Sequence, residues 1–97
     1  MPDSTTTEAR ETIEIVNQRG LHARASAKFV NAVAKLPETV RVKVFKDGAE
    51  AEGGSILGLM MLGAAKGDSI DIYVNGDGAD AVLVKLAGLV KDGFGED

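Results

Sequence analysis

The chain has no cysteine, so disulfides and thiolate metal centres are excluded. It has no tryptophan, one tyrosine and three phenylalanines, and its core is therefore expected to be mainly aliphatic. Basic residues are in the minority. Eleven Lys and Arg against 15 Asp and Glu give a formal charge of −4, which argues against nucleic acid as a partner. Residues 1–7 hold neither a basic stretch nor an apolar one, so no signal peptide is expected. No apolar run is long enough to cross a bilayer. There is no internal repeat and no low-complexity block, and the carboxylates show no metal-ligand spacing. What is present is one small domain of 97 residues, 44% hydrophobic, enough for a single core without metal or disulfide support. The expected setting is the reducing cytoplasm.

Periodicity supplies the elements. Residues 1–10 are polar and read as a flexible tail. Ile13 and Ile15 alternate with polar neighbours in a strand over 12–17. Ala25, Phe29, Ala32, Val33 and Leu36 recur at helical spacing over 23–35, and Pro37 closes that helix. Val40, Val42 and Val44 mark a second strand, and Asp47-Gly48 turns it into a short third strand over 49–52. Ser55 is a good N-cap for a short helix, Ile56 to Leu62, that ends at Gly63. Ile70, Ile72 and Val74 form a fourth strand. A last helix over 79–91 carries Ala79, Val82, Leu83, Leu86 and Val90 inward. Residues 93–97 read as a C-terminal tail. The order β-α-β-β-α-β-α predicts an α+β fold, with helices on one face of a mainly antiparallel sheet.

One residue carries the chemistry. His22, the sole histidine, lies in Gly20-Leu21-His22-Ala23-Arg24, where strand gives way to helix. A helix start offers unpaired N–H groups and a positive dipole end, which favour a neutral, nucleophilic imidazole and cradle an anion. Arg24 adds a charge-assisted donor, although the dipole disfavours a cation there, and a bound phosphate would explain its placement. A nucleophile beside an anion site suggests a histidine that carries a phosphoryl group, with the Ala23 and Arg24 N–H groups as phosphate donors. The helix from Ile56 is nearly all apolar, so some of Ile56, Leu57 and Met60 must be exposed, as in a docking surface.

The element order, the run from Gly20 to Arg24 and the segment from Gly54 to Gly63 together resemble the HPr phosphocarrier family of the bacterial phosphotransferase system. The resemblance spans residues 11–92. It implies an open-faced sandwich, a four-stranded antiparallel sheet with three helices on one face. It implies that His22 is phosphorylated on Nδ1 by Enzyme I, with phosphoenolpyruvate as ultimate donor, and passes the group to an EIIA-type acceptor. It makes Ser55 the regulatory site of an HPr kinase/phosphorylase, and Ile56, Leu57 and Met60 the docking surface. The protein would then be a monomeric stoichiometric carrier without cofactor, rather than an enzyme with its own turnover. Two positions depart from the family pattern. Ala25 stands where Pro usually follows the arginine, and Gly54 stands where Lys often precedes the serine. Asn17, three residues before Gly20, resembles the arrangement in nitrogen-type members. The rival reading is a small-molecule-binding regulatory module without phosphoryl transfer, which would require neither His22 nor Arg24.

Overall fold

In the computed structural model, which describes residues 7–96, β1 (Glu8–Glu14) starts before the apolar alternation that announces it. Glu8, Ala9 and Arg10 were expected in a polar tail but pair with Asn75, Val74 and Tyr73. They lack an apolar signature because one side of the sheet faces solvent, where Arg10 spans to Asp71 and covers the Phe45 ring at 4.8 Å. The strand also ends earlier than expected, at Glu14, and Ile15 continues the pairing with its N–H on the Asp68 carbonyl. Residues 1–6 and Asp97 lie outside the described region.

The remaining elements follow the periodicity closely. They are α1 (Ala23–Ala34), β2 (Arg41–Lys46), β3 (Ala49–Glu52), α2 (Ile56–Met61), β4 (Ser69–Asn75) and α3 (Ala79–Lys91). The strands form one antiparallel sheet in the order β1-β4-β2-β3. Alternation sends Ile13, Val42, Val44, Ile70, Ile72 and Val74 into one face, where they meet Phe29 of α1, Leu59 of α2 and Leu83, Leu86 and Val90 of α3. The other face carries Thr12, Lys43, Phe45, Asp71 and Tyr73. This is the four-stranded open-faced sandwich with three helices that the resemblance implies. No helix among the described residues is long and apolar enough to cross a membrane.

The chain does not end in a tail after α3. Gly93, Phe94 and Gly95 form a tight turn, and Phe94 is 1% exposed in the core. All three residues have positive φ, at 64°, 58° and 73°. For a phenylalanine that backbone costs about 1–2 kcal/mol, which burial of its ring offsets. The turn sends the chain back toward the start of α1.

Candidate functional site

Gly20 prepares the site. Its φ is +62°, and a Cβ there would stand 2.3 Å from the Ala64 carbonyl oxygen, so only glycine fits. The sharp turn lets the Leu21 N–H donate to that same oxygen at 2.9 Å and buries the Leu21 side chain. Behind it, the Ser26 hydroxyl donates to the Leu21 carbonyl at 3.2 Å, which accounts for a buried serine on α1 that the sequence pattern leaves unassigned. His22 then emerges as the N-cap of α1, extended at φ −76° and ψ −177°.

The two ring nitrogens of His22 have different partners. Nδ1 faces the helix start and accepts the Arg24 backbone N–H at 3.3 Å. Nε2 lies 2.7 Å from Oε2 of Glu96. A carboxylate only accepts, so this contact puts the imidazole proton on Nε2 and leaves the Nδ1 lone pair to the helix. Ala25, where the resemblance leads one to expect proline, is fully buried and does not interrupt α1.

Glu96 is itself held. Its Oε1 accepts from Asn17 Nδ2 at 3.1 Å, and the same amide donates to the Gly20 carbonyl at 2.9 Å. The bond from His22 above all, aided by Asn17 and Lys28, keeps Glu96 below the usual carboxylate range, although partial burial pushes the other way. Asn17 is 3% exposed. Lys28 Nζ donates to the Phe94 carbonyl at 2.6 Å and ties the last turn to α1.

These groups line a shallow cleft of about 360 Å³ walled by Gln18, Arg19, His22, Arg24, Lys28, Gly95 and Glu96. The guanidinium groups of Arg19 and Arg24 have no hydrogen-bond or ion-pair partner among the described residues. The first turn of α1 begins beside the cleft with the N–H groups of Ala23 and Arg24, the latter donating to His22 Nδ1. The cleft is thus suited to an anion next to Nδ1. His22 and Arg24 both line the cleft, and Ala23 lies between them at the start of α1 without lining it. Arg19, Lys28 and Glu96 join them without a motif to announce it; the only signal for Glu96 is a lone phenylalanine between glycines just before it.

Ser55 is the N-cap of α2, and its Oγ accepts the Gly58 N–H at 2.9 Å. Beyond it, Leu59 and Leu62 face the core, while Ile56, Leu57 and Met60 are exposed. Met61, 77% exposed, extends the same apolar surface.

Comparison with known proteins gives a consistent picture. Residues 9–92 match the family described as "PTS HPr component phosphorylation site". The phosphocarrier protein HPr of Neisseria meningitidis serogroup A is 40% identical over 87 residues, covering 90% of this chain and 96% of that protein. The phosphocarrier protein NPr of Escherichia coli K12 is 33% identical over 88 residues, covering 91% and 97%. Among solved structures, HPr from Thermoanaerobacter tengcongensis superposes with a TM-score of 0.84 at 35% identity, covering 92% of this chain and 98% of that one.

Proposed function

The chain belongs to the HPr family of phosphotransferase-system phosphocarriers, and we propose that His22 is its phosphoryl-bearing residue, charged on Nδ1 by an Enzyme I-type donor and discharged to an EIIA-type acceptor. The observation that carries this reading is the orientation of the ring, with Nδ1 turned to the start of α1 and Nε2 occupied by Glu96. The Nδ1 lone pair attacks phosphorus in line. The bond from phosphorus to the donor's leaving group breaks, and its electron pair stays with that group. The transferred oxygens meet the N–H groups of Ala23 and Arg24 and the guanidinium of Arg24. The Arg24 N–H that now points at Nδ1 then turns to a phosphate oxygen. Positioning and electrostatics supply the catalysis. The cleft is open, so the group can leave again.

Ile56, Leu57 and Met60, with Met61 beside them, form the docking surface in this reading. Ser55 at its edge is the position where a kinase would regulate docking. The protein works as a cytoplasmic monomer, recharged after each transfer.

The test is incubation with phosphoenolpyruvate and purified Enzyme I. The wild type gains an acid-labile mass of one phosphoryl group. His22→Ala keeps its circular dichroism and gains nothing, since no other histidine exists. Labile phosphate retained on His22→Ala would sink this reading.

A further inference from the structure

We propose that Glu96, held by Asn17, is a positioning residue that keeps the His22 proton on Nε2 and so presents Nδ1 to the phosphoryl donor. This rests on His22 being the phosphoryl acceptor.

Three observations support it. The Nε2–Oε2 contact, at 2.7 Å, is short and charge-assisted, and both side chains are about four-fifths buried. Asn17 orients the carboxylate from below. Its amide spends both donors, one on Glu96 and one on the Gly20 carbonyl at the base of the His22 turn. Its Oδ1 is buried without a partner among the described residues, a costly arrangement. Turning the amide over would set its oxygen against a carbonyl and a carboxylate, so the donor side must face Glu96. Third, the backbone that delivers Glu96 is built for it. The positive-φ turn over 93–95, the buried Phe94 ring and the Lys28 bond all fix where residue 96 lies.

The chemistry follows from charge. When Nδ1 takes the phosphoryl group, the ring becomes cationic and its proton stays on Nε2. The Glu96 carboxylate accepts that N–H before, during and after the transfer and stabilises the positive charge as it develops. No proton leaves the ring. The same contact acts in reverse when the group departs, so Glu96 serves charging and discharge alike.

Glu96→Gln separates this role from simple structure. Asn17 still offers an N–H, so the glutamine turns its oxygen to Asn17 and its NH₂ toward Nε2. Nε2 then becomes an acceptor, and the proton moves to Nδ1. Nitrogen-15 spectra of the neutral ring should show Nε2 protonated in the wild type and Nδ1 protonated in Glu96→Gln. Phosphorylation by phosphoenolpyruvate and Enzyme I should fall roughly ten- to a hundredfold in kcat, the scale seen when a histidine-orienting partner is lost. KM for Enzyme I should not change, because Glu96 lies outside the α2 surface. Glu96→Ala should show the kcat loss without the full proton shift. A wild-type ring protonated on Nδ1, or a Glu96→Gln variant with wild-type kcat, overturns the proposal while leaving His22 as the carrier. A wild type that never acquires labile phosphate overturns the carrier reading itself.

Discussion

The ammonium of Lys28 donates to the carbonyl oxygen of Phe94 across 2.6 Å. The helix that begins at His22 therefore also holds the turn that brings Glu96 to the same histidine. Imidazole and carboxylate share one support, although they stand 74 positions apart in the chain.

That support can be removed. Phe94→Ala empties a site that is 1% exposed. A mid-core Phe→Ala change costs about 3–5 kcal/mol. Here the loss should be smaller, because the last turn can open locally while the sheet stays folded. Hydrogen exchange should accelerate at the amides of Gly93 to Glu96, with α1 and β4 unaffected. Unchanged protection would show that the ring does not anchor the turn.

Arg24→Ala should slow transfer to and from His22. Its guanidinium is exposed and unpaired among the described residues, so stability should stay within about 0.5 kcal/mol of wild type. Arg24→Lys should recover only part of the rate, because a point charge cannot reproduce the planar fork. Transfer kinetics in both directions check this. Wild-type rates in Arg24→Ala would exclude the guanidinium from the site.

Phosphorylation of Ser55, or Ser55→Asp as a weaker mimic, should raise the KM for Enzyme I. The phosphate adds a charge of about −1.5 to −2 beside the exposed Ile56, Leu57 and Met60. A partner that buries those side chains must then desolvate the charge or meet it with a cation. The His22 site itself is untouched, so kcat should hold. Ser55→Ala is the control. It removes the hydroxyl that accepts the Gly58 N–H and should cost about 1 kcal/mol of stability with no change in KM.

Asp71 should govern part of the acid stability. Hydrogen bonds from Thr12 and then from Arg10 hold its carboxyl below the usual range. A carboxylate with a depressed folded-state value contributes stability above the ordinary carboxylate range. That contribution is lost as pH falls through the lower, folded value. Urea midpoints of Asp71→Asn should therefore fall below wild type near neutral pH, and the gap should close in acid. A gap that persists in strong acid would argue against the linkage.

The elements were legible wherever one face is buried and the other wet. Val42 and Val44 in β2, and Ile70, Ile72 and Val74 in β4, alternate as their burial does. The first residues of β1 were not legible, because Arg10 works on the solvent face through Asp71 and Phe45 and leaves no apolar trace. His22, Arg24 and the cap at Ser55 could be placed, since each depends on a local helix start. Glu96 could not. Its position depends on three successive positive φ angles, one of them at a phenylalanine, and on an asparagine near the other end of the chain.

The pairing of β1 with β4 has a kinetic consequence. It joins Glu8 to Asn75 and Glu14 to Ser69, so the sheet closes only across most of the chain. Such distant pairing pays its loop-closure entropy before any contact repays it, which slows folding relative to a helical bundle of similar size. α1 can form locally before that closure, whereas the turn that carries Glu96 follows α3, which packs on β1 and β4. A nascent or partly opened molecule therefore holds the imidazole without its carboxylate. The His22–Glu96 pair thus depends on closure of the sheet and not on α1 alone.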